Sequence, residues 1–147
     1  VMRKADQHMD FDLDLAREQS SDNPVYYLQY AHARICSVQR QCEEKGLKIS
    51  IGDANLLRLD NDHEQALIKQ LSLYPERVLA SAQRREPHIV VNYLRDLANL
   101  FHSWYNAHQF IVDDVELRDA RMALASAIAQ VLRNGLTLMA VSAPESM

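Results

Sequence analysis

Glycine and proline are scarce in this chain: three Gly and four Pro stand among 147 residues. A β-sandwich or barrel needs a turn signal about every ten residues, so the shortage leaves long helices as the economical use of the sequence. The length is about one domain's worth, enough to bury a core. Apolar residues (48%) and charged residues (24%) stand close to ordinary globular usage, which excludes a disordered or fibrous chain. Uninterrupted apolar runs are only a few residues long, well short of the roughly 18 to 20 that a spanning helix needs, so no membrane partner is expected. The start, Val1-Met2-Arg3-Lys4, has no apolar signal segment, and Val1 is not a natural initiator. The chain therefore reads as a piece cut from something longer.

The few helix breakers act as punctuation. In Ser20-Ser21-Asp22-Asn23-Pro24, Asn23 suits an N-cap and Pro24 the first helical position, where its missing N–H costs nothing. Leu28, Ala31, Ile35, Val38 and Cys42 then recur at spacings of three and four, and Lys45-Gly46 ends that helix. Residues 47–61 form a connection. A helix begins at Asp62, read as its cap, with Ala66, Leu67, Leu71 and Leu73 as its apolar positions until Pro75. Pro75 opens the next helix, Glu76 to Arg84, and Pro87 a long one striped by Val90, Leu94, Leu97, Phe101 and Trp104. The final helix, about 115–139, carries Leu117, Leu124, Ile128, Val131, Leu132 and Met139 on one side. Asn134-Gly135 either caps it or lies within it. Residues 9–15 alternate like a strand, but they run into good helix formers, so a short helix over about 10–19 is expected. An all-α fold follows, an antiparallel bundle of about five to six helices, with no repeat that would make a solenoid.

Recognisable catalytic chemistry is sparse. Cys36 and Cys42 lie six residues apart on one helix, too far to bond, and are expected as free thiols in a reducing compartment. The six histidines form no HExxH pair and have no CxxC partner, so no metal is expected. His32 and Cys36, four apart on one face, have the spacing of a Cys/His dyad, but a core thiol beside a partly buried imidazole is the simpler account. Asp10, Asp12 and Asp14 imitate a calcium loop, yet Leu15 and Ser21 stand where Gly and Glu are required. P-loop and GxGxxG motifs are absent, and no cofactor is expected in this segment.

Sixteen Lys and Arg against twenty Asp and Glu give a net charge of −4, which argues against holding nucleic acid by bulk charge alone. Any such role must rest on local features. Twelve of the sixteen cations are Arg, able to stack on bases and pair bidentately with phosphate. Tyr26, Tyr27 and Tyr30 crowd the start of the second helix, and Arg34 follows Tyr30 by four, which makes them neighbours. Tyr27 and Arg34 border the apolar stripe, and Tyr30 lies beyond it. On the long helix, Trp104 fits the core stripe while Tyr105 is offset. Aromatics off the stripe are available either for base stacking or for packing on another helix or domain.

The run Asn23-Pro24-Val25-Tyr26-Tyr27-Leu28-Gln29-Tyr30-Ala31-His32-Ala33-Arg34-Ile35 closely resembles the arginyl-tRNA synthetase family, at the helix opening its C-terminal anticodon-binding domain. The resemblance extends through Asp12-Leu13-Asp14-Leu15, Ala120-Arg121-Met122-Ala123-Leu124, Gln130-Val131-Leu132-Arg133-Asn134-Gly135-Leu136 and the closing Ser142-Ala143-Pro144-Glu145-Ser146-Met147. The Asp-Ala-Leu-Arg signature of that domain type appears approximately, as Asp119-Ala120-Arg121.

What the resemblance implies is specific. Residues 1–22 would end a catalytic domain and 23–147 would form the helical anticodon-binding domain of the class I synthetase type. The parent would be a cytoplasmic arginine–tRNA ligase using ATP with Mg²⁺, but HIGH and KMSK signatures are missing here, so this segment should not be catalytic. Its partners would be the anticodon stem-loop of an arginine tRNA and its own catalytic domain, with no DNA and no membrane. The family's loop contacts fall on Tyr27, Tyr30, Tyr105 and Met147, a set suited to splaying loop bases onto aromatics. Gln109 departs from relatives that carry an aromatic, so a hydrogen bond replaces stacking there or the contact is lost. Arg34 adds a phosphate or stacking partner by position. The competing view is a helical scaffold that packs on the catalytic domain or on other proteins.

Overall fold

The computed structural model describes Asp14 and residues 23–147, and all regular structure among them is helical. Five α-helices follow one another: α1 (Pro24–Glu44), α2 (Asp62–Ser72), α3 (Tyr74–Arg84), α4 (His88–Ala107) and α5 (Val115–Leu138). A 3-10 turn at Leu56–Arg58 interrupts the connection between α1 and α2. The helix expected over 10–19, and residues 1–22 as the end of another domain, lie outside the described residues.

Local chemistry sets the boundaries. Asn23 Oδ1 accepts from the Val25 N–H at 3.1 Å and the Tyr26 N–H at 3.4 Å, starting α1 where Pro24 needs no partner. At its other end Gly46 takes φ +64°, the Gly46 N–H donates to the Glu43 carbonyl, and the Leu47 N–H reaches back to Cys42. That is a Schellman close, which a glycine makes at no steric cost. The cap of α2 is Asn61, not Asp62: Asn61 Oδ1 accepts from the Glu64 N–H at 3.0 Å, and Asp62 is the first helical residue. Pro75 lies just inside α3. Asp114 caps α5 through the Leu117 N–H at 3.1 Å and accepts from Arg58 at 2.6 Å, while Arg58 also donates to Glu116 at 3.0 Å. The 3-10 turn is thereby tied to the start of α5.

Helix α4 is the centre of the molecule and contacts every other α-helix. It buries Leu94, Leu97, Ala98, Phe101 and Trp104 completely, and α1 brings Leu28, Ala31 and Ile35 against the same core. The leucine, isoleucine and phenylalanine side chains among these contribute roughly 1.5 to 3 kcal/mol each when fully buried. Gly135 lies inside α5 and does not cap it. A Cβ there would overlap the side chain of Leu94, so the missing side chain lets α5 approach α4 closely. No described helix is long and apolar enough to cross a membrane.

Candidate nucleic-acid interface

Helices α1 and α4 meet near the C-terminal end of α4, and that junction gathers most of the residues singled out by sequence. Arg34, in the third turn of α1, projects between two rings. Its guanidinium carbon lies 4.8 Å from the Tyr30 ring centroid and 4.4 Å from that of Tyr105. Both distances suit a cation over an aromatic face. Tyr30, Arg34, Arg40, Tyr105 and Met147 line one open recess of about 310 Å³. Met147 is half exposed at its rim.

Beneath this platform sits His102, one turn before the end of α4 and 8% exposed. Its ring lies 5.8 Å from Tyr30, nearly parallel to it, and 4.6 Å from Tyr27. An Arg34 terminal nitrogen faces His102 Nδ1 at 3.2 Å; guanidinium can only donate, so Nδ1 accepts. Burial, reinforced by the Arg34 charge and partly opposed by the nearby Tyr27 backbone, pushes the His102 pKa down to about 4. At neutral pH the imidazole is uncharged and acts as an apolar support for the two tyrosines.

Tyr27 and Gln109 stand apart from the recess. Tyr27 packs half-buried against the core and His102, so it supports Tyr30 from behind. Burial raises its pKa while Arg34 opposes the rise. Gln109 lines a neighbouring groove with His108, Lys45 and the other flank of Tyr105. The loop that follows α4 carries it there.

A residue set that sequence reasoning missed holds this loop. Arg121 donates to Glu64 Oε1 at 2.8 Å and to the Gln109 carbonyl at 2.7 Å. Glu64 is fully buried and also accepts from the Trp104 indole at 3.3 Å. The signal was present: Arg121 stands four after Leu117 and three before Leu124, and Glu64 three before Leu67. Both charges therefore occupy apolar stripes, where each needs a partner.

The chain's last residues are held as well. Gln29 donates to the Ser142 carbonyl at 2.9 Å, His32 Nδ1 lies 2.9 Å from the Pro144 carbonyl, and Arg40 donates to the Glu145 carbonyl at 2.9 Å. Cys36 Sγ lies 3.8 Å from the same His32 nitrogen. Burial, with Glu145 adding to it, raises the thiol pKa against Arg133 and Arg40. This is a core thiol beside an imidazole, here fully buried, and not an activated nucleophile. Cys42 is likewise free and buried. Among the described residues no three metal-ligating side chains come together.

Comparison with known proteins places the chain in a family. The chain is 58% identical to the arginine–tRNA ligase of Thioalkalivibrio sulfidiphilus and 58% identical to that of Halorhodospira halophila, in each case along its whole length. It spans only about a quarter of those proteins, 25% and 26% respectively. The solved arginyl-tRNA synthetase of Thermus thermophilus superposes with a TM-score of 0.85 at 32% identity, covering 100% of this chain and 25% of that one. The helical fold, the approximate signature at Asp119-Ala120-Arg121 and a match to the family over residues 28–147 coincide, and the chain belongs to the DALR anticodon binding domain family.

Proposed function

We propose that this chain grips the anticodon stem and loop of an arginine tRNA, as the C-terminal part of an arginine–tRNA ligase. One observation carries the proposal: a guanidinium held between two tyrosine rings at the mouth of an open recess. Single-stranded loops are recognised by splaying bases onto aromatic faces and arginine planes, with base edges read by hydrogen bonds. Tyr30 and Tyr105 supply the stacking faces, and Arg34 a planar cation for a base or phosphate. Met147 offers an apolar rim contact. Tyr27 backs Tyr30, and Gln109 offers an amide to a base edge from the adjoining groove.

The ligase as a whole would act in the cytoplasm, activating arginine with ATP and Mg²⁺ and esterifying it to the tRNA 3′ end. Those groups belong to the part of the protein that precedes this domain, which would also pack against it. Here the contribution is positional: binding energy at the anticodon holds the acceptor end in a distant active site. Phosphate contacts from the catalytic part would reconcile the net charge of −4 with a polyanionic partner.

The test is a low-salt titration of the chain with an arginine tRNA anticodon stem-loop and with the same stem-loop altered at its middle anticodon base. Saturable binding, weaker for the altered base and weaker by roughly 1 to 3 kcal/mol in Tyr30→Ala or Tyr105→Ala, is expected. Equal binding of both RNAs, or a scaffold that binds neither, would overturn the proposal.

A further inference from the structure

Three side chains of α1 hold the C-terminal tail by its backbone. Gln29, His32 and Arg40 face the carbonyls of Ser142, Pro144 and Glu145, each at 2.9 Å. His32 is fully buried, and an Arg133 terminal nitrogen on α5 stands 3.3 Å from its Nε2. Guanidinium only donates and a carbonyl only accepts, so Nε2 offers its lone pair to Arg133 while the Nδ1 hydrogen points at Pro144. The two contacts fix the ring between α5 and the tail.

Three of the four contacts to the tail end on carbonyls, which every residue has, and the fourth runs from Gln29 to the Ser142 hydroxyl at 3.2 Å, so they chiefly set the path of the tail rather than select its side chains. That path delivers Met147 to the recess shared by Arg34 and Tyr105. We propose that Gln29, His32 and Arg40 are a clasp of positioning residues whose task is to place Met147 against the bound anticodon loop. The clasp rests on the anticodon proposal above, but its first effect, docking of the tail, is measurable without RNA.

The experiment uses the 147-residue chain, its Met147→Ala and Met147-deleted forms, and the variants His32→Leu, His32→Asn and Gln29→Leu. Asn returns an N–H near the position of Nδ1. The ¹³C-methyl resonance of Met147, identified by its loss in Met147→Ala, reports docking, and titration with the arginine anticodon stem-loop reports binding. Expected are a Met147 signal moved toward its unstructured position in His32→Leu and Gln29→Leu, and stem-loop binding weakened roughly tenfold, as loss of one loop contact implies. His32→Asn should restore part of both, and neither Leu variant should weaken binding further once Met147 is deleted. If His32→Leu fails to fold, Gln29→Leu carries the test, because its side chain grips the tail from outside the core.

Binding losses that persist undiminished without Met147 would overturn the clasp. So would unchanged binding in the clasp variants while Tyr30→Ala weakens it, and in both cases the anticodon proposal would stand. Absence of stem-loop binding by the unsubstituted chain would overturn the anticodon proposal and the clasp with it.

Discussion

Arg34 on α1 lies 4.4 Å over the ring of Tyr105 on α4, while its terminal nitrogen stands 3.2 Å from His102 one turn away. A single guanidinium thus joins the two helices that form the recess and presents a flat cation at its mouth. Lysine would keep the charge but lose the plane.

Arg34→Lys is therefore expected to weaken anticodon stem-loop binding by about 1 kcal/mol or more, within the range of an aromatic–cation contact. The fold should persist, since Arg34 is only half-buried. Parallel titration and thermal melts of the two proteins check this; equal affinity would remove Arg34 from the interface.

His102 makes stability depend on pH in a definite direction. Its folded pKa of about 4 lies below the ordinary value of 6.5, so between those values the unfolded chain binds more protons. The contribution is complete above about pH 6.5 and is lost as pH falls toward 4, amounting to about 3 kcal/mol. Urea denaturation at pH 7 and pH 4.5 should show a smaller difference in His102→Gln than in the unsubstituted chain.

Glu64 and Arg121 form a buried pair, with Glu64 wholly inaccessible. Removing one partner leaves a charge in the core, and Glu64→Leu or Arg121→Met should each cost about 3 to 5 kcal/mol. The double variant should be less destabilised than the sum of the two, because it strands no charge. Denaturant midpoints of the four proteins measure the coupling.

Gly135→Ala reverses the usual rule for helices. Alanine in a helix interior normally gains up to about 1 kcal/mol over glycine, but here the new methyl meets Leu94, which is fully buried and has nowhere to swing. A loss of about 1 to 3 kcal/mol is expected. Shortening Leu94 to Ala in the same protein should make the Gly135 substitution less costly, as thermal melts would show.

The helices were legible because their signals are local. Asn23-Pro24 and Gly46 act within a few residues of themselves, and the stripes on α1 and α4 name their own buried faces. Asn61 was passed over for Asp62 because both cap well and only the chain's path decides between them. Two helix ends lack the usual glycine: Arg85 and Ala140 take φ +56° and +57°, so those stops are legible only from Pro87 and from the fading of the apolar stripe, not from a cap residue. Of the candidate site, residue type and resemblance single out Tyr30, Arg34, Tyr105 and Met147 one by one; that they share a recess is a tertiary fact, since they come from two helices and the tail. Gln109 lines the adjoining groove beside Tyr105, a placement that residue spacing does not give, because it depends on a loop pinned by Arg121 from another helix. The tail contacts span more than a hundred residues of sequence, beyond the reach of periodicity.

The Glu64–Arg121 contact has a consequence for how the helices assemble. Apolar stripes are forgiving, since leucine against leucine is nearly as good one turn along. A carboxylate is not: displacing α2 along α5 by one turn, about 5.4 Å, would carry Glu64 away from Arg121 and Trp104 and into hydrocarbon. The pair thus works as a proofreading step in assembly, admitting one alignment of the bundle and making its near neighbours unstable.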